Sequence, residues 1–119
     1  MLADLNATRA RAGLSILKLD NRLTQVARAH GVDMAQHNYF AHESQNGKSP
    51  FDRMRANRIA FGWAGENLAM SPDETTAYQA LLASPEHLAN IMQRHFSKVG
   101  IGAVLGPDGE MLFVQEFTN

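Results

Sequence analysis

The chain has 119 residues, of which 45% are hydrophobic and 19% charged, a composition that fits one globular domain spanning residues 1–119. Eleven basic and 12 acidic residues leave a net charge of −1, which argues against a broad nucleic-acid or anionic-membrane surface. No apolar run approaches the ~18 residues of a membrane span, and the absence of cysteine excludes disulfides, thiolate metal sites and cysteine nucleophiles.

The first part of the chain predicts two helices. An amphipathic segment after Met1 ends at Gly13, a residue type that closes helices. Asp20 is a suitable N-cap for a second helix that runs to about His37. This second helix carries an apolar stripe at helical spacing, formed by Leu23, Val26, Ala27 and Met34.

Three Ser-Pro pairs predict further helix starts, because serine caps free N–H groups and proline suits the first helical position. Ser71 with Glu74 fits a capping box, and Ser49 with Asp52 is a weaker version of it. The predicted helices cover residues 50–57, 72–83 and 85–95.

Strands are predicted around these helices. Residues 98–105 and 110–117 flank Gly106-Pro107-Asp108-Gly109, a strong turn signal, and should form an antiparallel hairpin. Residues 63–70 are a third strand candidate. Gly100 and Gly102 share one strand face, where they permit close helix packing. The order of elements predicts an α+β fold with an antiparallel sheet.

Glu66 and His87 are the first two candidate functional residues. Glu66 is the only charged residue between Arg58 and Asp73, and on a strand it shares a face with apolar side chains. A carboxylate in this position needs hydrogen-bonding partners or a cleft that contains water. The alternative to a functional role is a buried structural carboxylate that accepts hydrogen bonds from backbone N–H groups. His87 is third in the helix that Ser84 begins, where the macrodipole favours a neutral ring able to bind metal or accept a proton.

The remaining polar candidates carry less information alone. Asn90 lies one turn after His87, over the same helix edge. His42 lies in a polar loop, where histidines are commonly solvated. We interpret His30 and His37, seven positions apart on one helix, as partly buried packing residues or surface residues.

Five segments occur in a recognisable order and spacing between about residue 2 and residue 118. They are Asn6…Arg9…Gly13-Leu14; Phe40-Ala41-His42-Glu43-Ser44 followed by Gly47, Pro50 and Arg53; Gly65-Glu66-Asn67-Leu68-Ala69; Ser84-Pro85-Glu86-His87-Leu88-Ala89-Asn90-Ile91-Met92; and the pair Val99-Gly100-Ile101-Gly102 and Val114-Gln115-Glu116-Phe117. Together they resemble the CAP superfamily of cysteine-rich secretory proteins, antigen 5 and plant pathogenesis-related class 1 proteins, in its short bacterial type.

This resemblance implies an α–β–α sandwich, with a small antiparallel sheet of about three strands between helical layers. It implies a central cleft where His42, Glu66 and His87 converge, with Asn67 and Asn90 beside them. In the family, the two histidines can hold a divalent ion such as zinc. Most members are secreted or displayed at the cell envelope, which implies a mature domain whose signal peptide is not part of this sequence.

Two positions depart from the family pattern. Many eukaryotic members bring a second glutamate to the cleft where this chain has Ser84, so the four-residue site is incomplete. Glu86 replaces the usual glycine beside His87. It is either a substitute carboxylate or a solvated charge that interacts with the helix dipole.

Three functions are compatible with these residues and with the resemblance. The favoured one is a monomeric, non-enzymatic extracytoplasmic binding module, whose cleft holds a divalent metal weakly and binds an envelope glycan, lipid or peptide. The second is a metal-assisted, peptidase-like hydrolase in which His42 and His87 hold zinc and Glu66 is the base. The third is a structural network in which the same three residues fix the fold.

Overall fold

The computed structural model describes residues 1–119 and confirms the predicted α+β class, with a sheet of four strands rather than about three. The helices are α1 (Leu2–Arg11), α2 (Asn21–His37), α3 (Pro50–Ala56), α4 (Glu74–Ala83) and α5 (Pro85–Ile91). The strands are β1 (Lys18–Leu19), β2 (Ala64–Ser71), β3 (Lys98–Leu105) and β4 (Met111–Thr118).

Local capping explains where the first two helices begin or end. Gly13 has a φ of +75° just beyond α1, and the N–H groups of Gly13 and Leu14 close the last turn on the carbonyls of Ala10 and Arg9. Asp20 caps α2 as predicted, since its carboxylate accepts from Leu23 N at 2.9 Å.

The two predicted capping boxes had opposite outcomes. Ser49 and Asp52 form the full reciprocal box at the start of α3. The box predicted for Ser71 and Glu74 was wrong, because Ser71 ends β2 and Asp73 caps α4 instead.

Two further boundaries differ from the prediction. The last helix ends at Ile91 rather than near residue 95, because the chain turns there towards β3. The two-residue strand β1 was missed, since a strand this short has no periodicity to detect, and it pairs parallel to β3.

The sheet order is β1-β3-β4-β2, with β4 antiparallel to both neighbours and β2 at one edge. One face of the sheet packs against α2, whose predicted apolar stripe is buried. The other face packs against α1, α4 and α5, around Phe113 and Phe117. The helices therefore form layers on both sides of the sheet. No helix has the length and apolar character that crossing a bilayer requires.

Glycine allows α2 to approach the sheet closely, as predicted. A Cβ atom on Gly100 would lie 2.0 Å from the carbonyl carbon of Leu23, and one on Gly102 would lie 2.8 Å from that of Ala27. This close contact also brings His30 of α2 towards the part of β2 that carries Glu66.

Candidate functional site

Glu66 is buried and lies on the sheet face that packs against α2, with both carboxylate oxygens engaged. Oε1 accepts from His42 Nδ1 at 2.7 Å, and Oε2 accepts from Arg53 Nη2 at 2.8 Å. Its partners are therefore side chains, not the backbone N–H groups of the structural interpretation. Burial raises the pKa of Glu66, but the hydrogen bond to His42 and the charge of Arg53 bring it below the ordinary value.

Arg53 connects the loop before α3 to this carboxylate. Its Nη1 donates to the carbonyls of His42 at 2.8 Å and Lys48 at 3.0 Å, while Nη2 donates to Glu66. The Ser49 cap starts α3 four residues earlier and so sets the position of Arg53. The sequence identified Arg53 only as a motif residue, because nothing local shows that it reaches a strand 13 positions away.

Glu116 is a second buried carboxyl group, and its chemistry was missed at the sequence level. It stands opposite Glu66 in the β2–β4 register, is fully buried, and has no hydrogen-bond partner on either oxygen. Burial and then the charge of Glu66 raise the pKa of Glu116 well above its ordinary value. This shift favours the protonated, neutral form of Glu116. The sequence offered one signal of its burial, because Glu116 shares a face of the predicted strand with the apolar Val114.

His42 presents one ring nitrogen to the protein and the other to solvent. Because ionised Glu66 accepts from Nδ1, the neutral ring carries its free lone pair on Nε2. The ring is 54% exposed. The hydrogen bond to Glu66 raises the pKa of His42, with burial opposing it. Glu66 thus fixes both the orientation and the tautomer of an accessible imidazole.

His87 is held in a similar way at the start of α5. Its Nδ1 lies 2.8 Å from Ser84 Oγ, while Nε2 has no protein partner. Burial and then the charge of His42 lower the pKa of His87, and Glu86 opposes them. The direction matches the neutral ring expected from the sequence, but the causes are burial and His42 rather than the helix dipole.

The two asparagines join α5 to β2. Asn67 is buried and donates to the His87 carbonyl at 3.1 Å. Asn90 Nδ2 donates to Asn67 Oδ1 at 2.8 Å and to the Glu66 carbonyl at 3.2 Å. Asn67 therefore supports the site from behind, whereas Asn90 also lines it.

The candidate residues line two neighbouring pockets. His42, Glu66 and Asn90 line a pocket of about 420 Å³, and His87 lines one of about 280 Å³ with Phe40 and Leu68. The two pockets lie next to each other because they share two segments of the chain. Phe40 of the smaller pocket is two residues before His42, and Leu68 of the smaller pocket is two residues after Glu66 in β2. No hydrogen bond joins the His87 ring to either His42 or Glu66.

The other histidines of α2 lie outside these pockets. His30 is buried and its Nε2 lies 2.8 Å from the Ala41 carbonyl, whereas His37 is exposed, as the packing and surface interpretations predict. Asp33, about one turn from each of them, contacts His37 Nδ1 at 3.0 Å. Even so, no group of three or more histidine and acidic side chains is arranged to hold a metal ion. Glu43 and Glu86 are exposed.

The family model described as "Cysteine-rich secretory protein family", or CAP, matches residues 2–117 of the chain. The chain belongs to the CAP family. YkwD of Bacillus subtilis is 36% identical over 115 residues, which cover 94% of this chain and 43% of YkwD. The membrane protein YlbC of the same organism is 33% identical over 82% of this chain and 28% of its own length. This CAP domain thus spans less than half of either relative.

Solved structures agree with this assignment. An extracellular SCP-domain protein from Bacillus anthracis is 31% identical, with a TM-score of 0.85 over 97% of this chain and 37% of that protein. An outer surface protein from Borrelia burgdorferi has a TM-score of 0.92 at 22% identity, over 99% of this chain and 88% of that protein. The second likeness supports the fold alone.

Proposed function

We propose that this CAP domain is an extracytoplasmic binding module of the cell envelope, whose site is the pair of pockets around His42 and His87. The observation that carries the proposal is that both imidazoles are fixed through Nδ1 and leave Nε2 without a protein partner. The description of the similar Bacillus anthracis protein as extracellular supports the location.

A divalent ion such as zinc fits this donor set as a weakly held group. His42 and His87 would bind it through Nε2, with Glu66 and Ser84 orienting the two rings from behind. Bound there, the ion would supply a Lewis-acidic position for an oxygen atom of a glycan, lipid or peptide ligand. Two protein ligands with no third in place predict an affinity well below that of a structural zinc site.

The geometry favours binding over metal-assisted hydrolysis. A general base needs a free oxygen near a bound water, but both oxygens of Glu66 are engaged and its side chain is 1% exposed. Glu116 is fully buried, and its raised pKa favours the protonated form, which is not a base. Glu66 therefore acts as a positioning residue for His42 in this proposal.

Calorimetric zinc titration of the wild type, His42→Ala and His87→Ala tests the metal site. We expect each variant to lose most of the binding, and wild-type binding to weaken at mildly acid pH because protonated imidazole does not ligate. His37→Ala is the matched control, since His37 is exposed and lies away from both pockets. Binding that survives in both site variants but falls in His37→Ala would place the zinc elsewhere. Metal-dependent hydrolysis of peptide substrates would favour the enzyme instead.

A further inference from the structure

Strand β2 is an edge strand, and its hydrogen-bonding pattern shows which of its backbone groups face outwards. Asn119 N donates to the Trp63 carbonyl, which extends the β2–β4 register and directs the odd-numbered residues of this segment towards β4. The even-numbered residues therefore direct N–H and C=O groups away from the sheet. The Glu66 carbonyl confirms this parity, because it accepts from Asn90 on the outer side.

Two residues beyond Glu66, this outer edge has no partner within the protein. No backbone group or side chain of the chain hydrogen-bonds to the outward N–H and C=O groups of Leu68 and Met70. These four groups repeat every two residues, a spacing of roughly 7 Å that matches the repeat of a partner strand. An unpaired strand edge of this kind is a template for a further strand.

An apolar pocket adjoins the unpaired edge. The pocket of about 280 Å³ is lined by Leu68, Ala69 and Met70 of β2, with Phe40, Leu81 and His87 opposite. Phe40 is 45% exposed and Met70 50% exposed. A strand added along β2 would direct alternate side chains towards such a pocket.

The charges around the site indicate which charge an added strand should carry. Neither this pocket nor the neighbouring one at His42 contains a lysine or arginine in its lining. The exposed charges beside the two histidines are carboxylates, Glu43 in the lining and Glu86 near enough to raise the pKa of His42 and His87. An anionic ligand is therefore disfavoured, and a basic one is complementary.

We propose that the outer edge of β2 binds an extended peptide by strand addition, with an apolar side chain against Phe40 and Leu81 and a lysine or arginine near Glu43 and Glu86. A lipid chain would fill the pocket but leave the backbone groups of Leu68 and Met70 unpaired, which is costly. The inference names a ligand class for the proposed binding module, and it rests on that proposal only for the part of the peptide that reaches His42.

A random nonapeptide library displayed on phage is the probe, followed by synthesis of the most enriched peptide and anisotropy titration. Met70→Pro removes the outward N–H, whereas Met70→Ala keeps it and removes the side chain. We expect about a tenfold or greater loss of affinity in Met70→Pro and less than about threefold in Met70→Ala. Methylation of successive peptide amides should weaken binding at every second position.

Equal losses in the two variants, no alternation in the methylation series, or failure to enrich any peptide would each overturn the proposal. If Met70→Pro melts below the wild type by more than Met70→Ala does, the peptide methylation series decides, because it leaves the protein unchanged. Binding that depends on the Met70 N–H but is unchanged in His42→Ala would support strand addition while separating it from the metal site. A wild-type protein that binds the peptide but no zinc would count against the proposed metal site alone.

Discussion

Glu66 and Glu116 face each other across β2 and β4 but their pKa values shift in opposite directions, so the same substitution should have different effects at the two positions. Replacement by glutamine keeps the size of the side chain and removes its ability to ionise. Glu66→Gln deletes the anion that accepts from His42 and Arg53. Glu116→Gln replaces a carboxyl group whose raised pKa favours the neutral form by an amide that is neutral at every pH.

The expected free energies of unfolding follow from these contacts. A hydrogen bond to a charged group contributes about 1.5–3 kcal/mol, with half-exposed His42 at the low end and Arg53, whose side chain is 13% exposed, higher. Glutamine can still accept one bond, so Glu66→Gln should cost about 2–4 kcal/mol. Glu116→Gln should cost less than Glu66→Gln, under about 2 kcal/mol at neutral pH, because no protein donor loses its acceptor.

The pH dependence separates the two carboxyl groups further. The lowered pKa of Glu66 contributes stability that is present above the ordinary glutamate value and is lost as pH falls through the folded value. The raised pKa of Glu116 has the opposite sign, so its contribution is complete below the ordinary value and is lost as pH rises through the folded value. Glu116→Gln should therefore gain stability relative to the wild type as pH increases from the ordinary glutamate value towards the raised folded value.

Urea unfolding followed by circular dichroism at three pH values, with a chelator present so that no metal binds His42, measures both effects. The pair titrates as a unit, so the comparison is between whole stability curves rather than single residues. A loss above about 2 kcal/mol for Glu116→Gln at neutral pH would mean that Glu116 is ionised and accepts hydrogen bonds, which would refute the assignment.

Two further predictions concern the scaffold. Arg9 is fully buried and donates to four backbone carbonyls, those of Ser15, Ile91, Gln93 and Phe96. Arg9→Met should therefore lower the free energy of unfolding in urea by at least about 3 kcal/mol. Arg11→Met is the control, and because Arg11 is exposed it should cost under about 0.5 kcal/mol. Equal effects at the two positions would contradict this reasoning. Gly100→Ala should cost about 1–3 kcal/mol or prevent folding, since its Cβ would meet the α2 backbone. Gly62→Ala, whose Cβ would lie 3.5 Å from Asn119, should be tolerated. Comparable melting temperatures for the two variants would exclude the clash at Gly100.

The sequence predicted features that depend on neighbouring residues. The Asp20 cap, the Ser49 box and the β3–β4 hairpin each involve residues a few positions apart, so their chemistry is visible in a short window. His42 and Glu66 are 24 positions apart, and they were paired only through the family resemblance, which the direct hydrogen bond matches.

The missed features depend on distant contacts. Arg53 and Glu116 acquire their roles only when α3 and β4 are folded against β2. Arg53 has no local pattern that distinguishes it from a surface charge, and the strand pattern around Glu116 indicates burial but not its neighbour Glu66. The same reason accounts for β1, whose two residues become a strand by pairing with β3. The choice of Asp73 over Ser71 as a cap also depends on β2, because Ser71 pairs with Met111 and is thereby committed to the sheet.

The position of His42 shows how buried charges set up an accessible group. The segment between α2 and α3 has no regular secondary structure, yet His30 holds the Ala41 carbonyl and Arg53 holds the His42 carbonyl. The same Arg53 neutralises Glu66, which in turn orients the His42 ring. The raised pKa of Glu116 favours a neutral carboxyl group beside Glu66, so the charge that orients the His42 ring is the single anion paired with Arg53. The loop can therefore vary at its exposed positions, such as Glu43, while the imidazole keeps its place beside the edge of β2.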